Sequence, residues 1–232
     1  MRITLKLDMK GVRVPYDYRR GIQAWIYSAM DHQTGILLHD GDPGTIKLFT
    51  FSNLRGRYMQ NPQGLVFQDT ASLTIASPSR HLLEQIMACI EETGAMDICG
   101  NHVRILQHTV SRIPDLNGTI TYQTMSPVTV YTTEEDGYHL YHSPEENDYS
   151  ARIAANLAHK LEQLTGETMD DYFRLYHVTD IVRHTITYKG FRYTAYDFRC
   201  QIDTTPRMHK ILQDCGIGAR NAAGFGMLQP HW

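Results

Sequence analysis

The chain has 232 residues, of which 42% are hydrophobic and 20% charged, and its formal net charge is −3. That length allows one large or two smaller cored domains, and the balance of apolar and charged residues excludes a disordered or collagen-like chain. The net charge argues mildly against a nucleic-acid partner, so the distribution of charge decides. Residues 1–58 hold 9 Lys/Arg against 5 Asp/Glu, residues 59–133 hold 3 against 6, residues 134–171 hold 2 against 10, and residues 172–232 hold 8 against 4. Basic ends around an acidic middle leave room for an anion where the ends meet. No apolar run reaches the ~20 residues of a membrane helix. Met1-Arg2-Ile3-Thr4-Leu5-Lys6 alternates instead of forming a signal core. A cytoplasmic protein with no membrane partner is expected. Cys89, Cys99, Cys200 and Cys215 lack C-x-x-C spacing, and no histidine pair has His-x3-His or His-Glu-x-x-His spacing. Reduced thiols, no metal and no other cofactor are therefore expected.

In chain order, Ile3, Leu5 and Leu7 alternate with polar residues as in a half-buried strand. Pro15 and Asp17 open a helix whose apolar stripe is Ile22, Trp25, Ile26, Ala29 and Met30. Breakers fill 31–44, and a strand is expected over 46–51 and another near Leu73-Thr74-Ile75. Ser77-Pro78 starts a helix with Leu82, Leu83, Ile86, Met87 and Ile90 on one face, ended by Gly94. A strand over 103–110 and a turn at 114–118 follow. This β-α-β-β-α-β order is that of a ferredoxin-like, RRM-like unit.

The order then recurs. Residues 121–131 are strand-rich, and Ser143-Pro144 leads to a helix with Ile153, Leu157, Leu161 and Leu164 that stops at Gly166. Residues 181–188 and 191–202 form a hairpin about Lys189-Gly190, Thr205-Pro206 opens a short helix, and 224–229 supplies a closing strand. The expected fold is α+β, with ferredoxin-like domains over residues 1–118 and 119–232.

Near the end, Gly216-Ile217-Gly218-Ala219-Arg220-Asn221-Ala222-Ala223-Gly224-Phe225-Gly226 places two Gly-hydrophobic-Gly triplets around five small or polar residues, one of them an arginine. Such a loop can lie close against a ligand, with exposed N–H groups and Arg220 suited to phosphate. It has neither the Lys-Ser/Thr of a P-loop nor Gly-x-Gly-x-x-Gly spacing. A helix C-cap at Gly216 followed by a glycine-rich strand is the structural alternative.

Gly-Φ-Gly-x5-Gly-Φ-Gly resembles the signature of the CRISPR-associated repeat-cleaving endoribonucleases, within the repeat-associated RNA-binding superfamily. Val14-Pro15-Tyr16-Asp17-Tyr18, Gln23-Ala24-Trp25-Ile26-Tyr27, Lys47-Leu48-Phe49-Thr50-Phe51-Ser52 and Ser126-Pro127-Val128 resemble further segments of that family, in order. The resemblance implies two ferredoxin-like domains and metal-independent cutting of CRISPR repeat RNA, leaving a 5′-hydroxyl and a 2′,3′-cyclic phosphate. By the same resemblance His39 is the general acid/base, Tyr27 orients the 2′-OH or shares the base role, and Lys47 stabilises the phosphorane. His32 is the rival for the histidine position. The loop residues Gly216, Gly218, Arg220, Asn221, Gly224 and Gly226, with Arg19, Arg20, Arg55 and Arg57, are candidates for RNA contact. CRISPR effector-complex proteins and a second copy of the chain are the other partners it suggests. A non-catalytic repeat-binding subunit is the competing function, because relatives share the fold and loop without the histidine. A ferredoxin-like domain that binds a small ligand or another protein is a third reading, on fold alone.

Overall fold

The computed structural model describes residues 1–30, 48–112 and 115–231. It is a mixed α/β structure built on two antiparallel sheets. β1 (Arg2–Leu7) lies at the centre of the first, between β5 (Gly64–Ala76) and β7 (Asn101–Ser111). The sheet continues to β2 (Arg13–Val14) on one side and β6 (Ala95–Ile98) on the other, while β3 (Thr50–Phe51) and β4 (Arg55–Asn61) also pair with β5. The alternation of β1 has the expected outcome: Ile3, Leu5 and Leu7 are fully buried. They meet Ile22, Trp25 and Ile26 of α1 (Tyr18–Ser28) and Leu82, Leu83, Ile86 and Ile90 of α2 (Arg80–Thr93) in one core.

Local chemistry explains the helix ends. The cap of α2 is Ser79 and not the expected Ser77, which with Pro78 precedes the helix. Ser79 Oγ accepts from the Leu82 amide at 3.2 Å, and Gly94 closes α2 at φ 61°, where a side chain would be strained. Asp17 sits at the N-cap of α1, yet its carboxylate makes no cap hydrogen bond and instead accepts from the Lys189 amide at 3.3 Å. That contact reaches the other end of the chain.

The second sheet runs β11-β12-β8-β13, from β8 (Gly118–Thr124), β11 (Phe173–Tyr188), β12 (Phe191–Thr204) and β13 (Leu228–Pro230). α3 (Tyr149–Thr165) and α4 (Pro206–Cys215) pack on it through Ile153, Leu157, Leu161, Met208 and Leu212 against Tyr122, Phe198 and Ile202. Thr205 caps α4 with Pro206 at its start, as the sequence implies. Lys189 and Gly190, at φ 50° and 81°, are the two left-handed residues of the β11–β12 turn, which matches the strand twist. β9 (Tyr131–Thr133) and β10 (His139–Tyr141) form a small separate ribbon. The first sheet contains the order β3-β5-β1-β7, and the second has the equivalent order, with the first strand of each half between the third and fourth.

Several boundaries differ from the sequence reading. β5 is 13 residues long and pairs with β4, a strand the sequence did not signal because nearly every β4 residue is exposed and no apolar alternation marks it. Residues 121–131 are not one strand: β8 ends at Thr124, before Ser126-Pro127, and β9 begins at Tyr131. The closing strand holds only Leu228–Pro230, and of the strand expected over 46–51 the described residues 48–51 are strand only at Thr50–Phe51.

Arg2 joins the two sheets. It is 5% exposed, and its guanidinium donates to the Gln213 carbonyl at 3.1 Å and the Leu228 carbonyl at 2.6 Å. Burial lowers its pKa to about 10, against the raising effect of Asp214. Arg2→Met keeps much of the volume but strands both carbonyls. Urea unfolding of that variant should show a loss of roughly 2–4 kcal/mol, whereas a surface change such as Arg57→Met should move stability by no more than about 0.5 kcal/mol.

Candidate nucleic-acid interface

The glycine segment is both a helix end and a loop. Gly216 caps α4 at φ 78°, its amide bonded to the Leu212 carbonyl. The chain then folds back so that the Ile217 amide meets the Gly226 carbonyl at 2.9 Å. Two of the glycines are required by space. A Cβ on Gly224 would lie 2.4 Å from the Phe51 ring, and one on Gly226 would lie 2.0 Å from the Ile217 carbonyl oxygen. Both also have positive φ.

The loop's carbonyls are tied inward. Asn221 Nδ2 donates to the carbonyls of Ile217 and Phe225, and Thr50 Oγ1 donates to Phe225. Arg19 Nε reaches the Gly224 carbonyl at 3.3 Å, and Gln23 Nε2 the Ala222 carbonyl at 2.7 Å. Lys160 Nζ donates to Gly216 and Gly218 at 2.8 and 3.0 Å. Ala219 pairs with Thr129 through its amide. From Gly216 to Leu228 the segment is buried, except for half-buried Ala219 and exposed Arg220. The sequence reading of a broadly exposed amide surface is therefore corrected. The loop is an interior structure that presents one short tip.

Arg220 occupies that tip in a left-handed conformation, φ 59°, which turns the chain into a single 3-10 turn over Asn221–Ala223. Its guanidinium carbon lies 5.9 Å from the Tyr131 ring centroid and 5.4 Å from that of Tyr193. Two aromatic faces orient the fork while leaving its donors open. Beside it is a cavity of about 570 Å³, walled by the loop tip, by Gln23 of α1, by Asn156, His159 and Lys160 of α3, and by Tyr188, Lys189 and Tyr193 of the β11–β12 hairpin. Phenols, an imidazole and cations around one cavity can hold a phosphate and stack a base.

Of α1, Gln23 lines this cavity, and Arg19 and Tyr27, four residues before and after it, share its helix face. Arg19 and Gln23 hold the loop. Tyr27, one turn further on, is half-buried and meets the Phe49 ring edge-on at 5.9 Å. Burial pushes its phenol up to about 12. Tyr188 donates to Gln23 Oε1, and burial, with Tyr27 among its electrostatic neighbours, raises its pKa to about 12 as well.

The other predicted residues separate clearly. His39 and Lys47, and the rival His32, lie outside the described residues. Arg19 is 6% exposed and wholly engaged, bonded to Gly224 and Asn53 and stacked near Phe225 and Tyr18. Asn221 is likewise buried as the loop's internal brace. Both therefore act on the loop's shape in this structure and do not lie open to solvent. Arg20 is exposed beside a shallow apolar hollow that includes Trp25 and Cys99, away from the loop tip. Arg55 and Arg57 are exposed on β4, where Arg57 faces Asp69 at 3.8 Å, so they line a different part of the surface from Arg220. The sequence reading missed Gln23, Tyr131, Lys160, Tyr188 and Tyr193. Lys160 alone carried a signal, since it stands three residues after Leu157 and seven after Ile153, on the apolar stripe of α3. Among the described residues no group of three or more His, Cys, Asp and Glu is arranged to hold a metal ion. No described helix is long and apolar enough to cross a membrane.

Comparison with known proteins places this geometry. A Cas6 endoribonuclease from Methanocaldococcus jannaschii (CRISPR-associated endoribonuclease Cas6 1) is 24% identical over 248 aligned positions, covering 98% of this chain and 92% of its own. A solved structure characterising a Cas6-related gene from Pyrococcus furiosus superposes with a TM-score of 0.88 at 18% identity, covering 100% of this chain and 98% of the other. Another, of an RAMP protein binding different RNA substrates, gives 0.86 at 20% identity with both chains fully covered. Residues 111–230 match the sequence profile described as CRISPR associated protein Cas6, C-terminal. That segment spans over half the chain and includes the whole clamped loop, and the chain belongs to the Cas6 family.

Proposed function

We propose that this protein is an endoribonuclease that cuts CRISPR repeat RNA in a precursor transcript, releasing guide RNAs. The observation that carries this reading is the braced loop, which presents Arg220 beside an aromatic-lined cavity that α1 walls through Gln23. A Cas6 endoribonuclease matched along nearly the whole chain supports it. We further propose that the two halves, residues 1–118 and 119–232, are ferredoxin-like domains. The shared strand order of the two sheets and the separate cores of their helices support that division.

The reaction is a transesterification. The ribose 2′-oxygen loses its proton and attacks phosphorus, the bond to the 5′-oxygen breaks, and that oxygen takes up a proton. The products are a 2′,3′-cyclic phosphate and a 5′-hydroxyl. On the family resemblance His39 moves protons, since an imidazole titrates near neutrality. Lys47 stabilises charge on the phosphorane. Tyr27 has a narrower role than the sequence allowed. With its pKa pushed up to about 12, it stays protonated at neutral pH and serves as a hydrogen-bond donor, orienting the 2′-OH, and not as a base. No residue in this scheme calls on a metal ion. Arg220 binds phosphate or stacks on a base at the loop tip, while Arg55 and Arg57 on β4 offer contacts to RNA further along. A cytoplasmic setting suits this substrate, and effector-complex proteins or a second copy of the chain are further partners consistent with the family.

A second reading is a repeat-binding subunit without cleavage. It is favoured by the close superposition on an RAMP protein that binds different RNA substrates. Purified protein incubated with end-labelled repeat RNA in excess chelator separates the two readings: a 5′-hydroxyl product supports the nuclease, and retention without product supports the binder. His39→Ala should slow single-turnover cleavage by roughly 10²–10⁴-fold with RNA affinity nearly unchanged. Tyr27→Phe should lower the rate with a pH optimum within a few tenths of wild type, because a protonated phenol adds no titration near neutrality. Arg220→Ala should weaken repeat binding and reduce the slope of log K against log salt by about 1.

A further inference from the structure

Lys160 is the least expected buried group in the protein. It is 1% exposed on the apolar stripe of α3, and among the described residues its ammonium pairs with no carboxylate: its acceptors are the carbonyls of Gly216 and Gly218. Those two glycines have φ 78° and 67°, so their carbonyls turn to the same side and converge on one donor. A Cβ on Gly218 would stand 2.6 Å from the Thr129 carbonyl oxygen, and this packing leaves no other path for the backbone there. The two acceptors bracket Ile217, whose own carbonyl is held by Asn221 and whose amide is held by Gly226. Lys160 thus fixes the entry to the loop, as Arg19 and Gln23 fix its exit. It also lines the cavity beside Arg220.

We propose that Lys160 is the positioning residue of the glycine loop: from beneath, its ammonium sets the carbonyls of Gly216 and Gly218, so the tip presents Arg220 to an RNA phosphate, and its charge adds to the attraction. This rests on the reading of the loop as an RNA contact. It assigns a use to α3, which lies within the acidic stretch of the chain: one cation from that helix is directed at the loop.

The electrostatics give the proposal a signature. Burial lowers the Lys160 pKa to about 7, with Cys215 of α4 acting the other way. The folded protein therefore disfavours the charged form relative to the unfolded chain, and Lys160 adds stability as pH rises from about 7 toward 10.5. A bound phosphate has the opposite preference and draws the proton back. The groups that face the same space are His159 of α3, Tyr188, Lys189 and Tyr193 of the hairpin, and Arg220, with Cys215 below. His159 is present in both proteins compared below.

Lys160→Met, which keeps the length and removes the donor, is measured beside Arg220→Ala for binding of a non-cleaved repeat RNA at fixed salt from pH 6 to 9. Expected is an affinity about 10–100-fold lower for Lys160→Met at pH 6. Wild-type affinity should also fall more steeply with rising pH than that of the variant, since only wild type loses this charge. Wild-type affinity for Lys160→Met with a normal loss for Arg220→Ala overturns the positioning role and leaves the RNA reading standing. If neither variant weakens binding, the RNA reading falls and takes this proposal with it. Should Lys160→Met fold poorly, the wild-type protein suffices. With lysines labelled at ¹³Cε, the Lys160 resonance should titrate near pH 7, and saturating RNA should move its midpoint upward. A midpoint that RNA leaves in place overturns the proposal.

Discussion

Peptide carbonyls turned inward need donors, and the loop from Gly216 to Gly226 depends on that requirement. A glycine-rich segment has little side-chain packing to define it and loses much backbone entropy on ordering. Here the ordering force comes from polar side chains of four elements: Arg19 and Gln23 from α1, Thr50 from β3, Lys160 from α3, and Asn221 from the loop itself. Each is buried, so each bond lies where an unpaired carbonyl would be costly. The braces come from both halves of the chain. Assembling the loop and assembling the two sheets into one body are therefore linked processes.

This linkage gives the buried polar residues a different meaning from the exposed ones. Arg2, Arg19 and Lys160 are basic groups inside the protein, and all three donate to main-chain oxygens and form no ion pair among the described residues. A carbonyl partner carries a dipole without a full opposing charge, so such a site keeps a net positive potential. Two of the three lie against the glycine loop. A chain with a net charge of −3 can in this way hold a positive region where an anion would sit.

Much of the scaffold was legible in the sequence because its signals are local. Alternation marked β1, a serine with a following proline announced α2, Thr205-Pro206 opened α4, and Lys189-Gly190 marked the hairpin. β4 stayed hidden because an exposed edge strand bears no apolar pattern, and β5 was shortened because the exposed Gln68-Asp69 pair interrupts its apolar run. In the candidate site, the glycine spacing was legible but the loop's burial was not. Burial depends on Phe51 and Thr129, which are distant in sequence and carry no mark of their contact. Arg19 looked like any surface arginine, since its engagement with Gly224 spans 205 residues. Lys160 could have been noticed as a charge out of place on an apolar stripe.

The β11–β12 ribbon has a consequence of its own. Tyr188 precedes the two-residue turn and pairs across it with Phe191, and Tyr193 stands two residues beyond Phe191. Both tyrosine side chains therefore share the face that lines the cavity, since strands alternate their faces with a period of two. Inserting one residue in either strand between the turn and the cavity would rotate that tyrosine to the solvent face and pull Asp17 away from its amide partner. Variation in this arm is thus confined to even steps, or to the irregular stretch between Tyr176 and Val182, where the pairing already slips. Distant homologues aligned in this region should differ in ribbon length by pairs of residues, or carry their odd changes at that bulge.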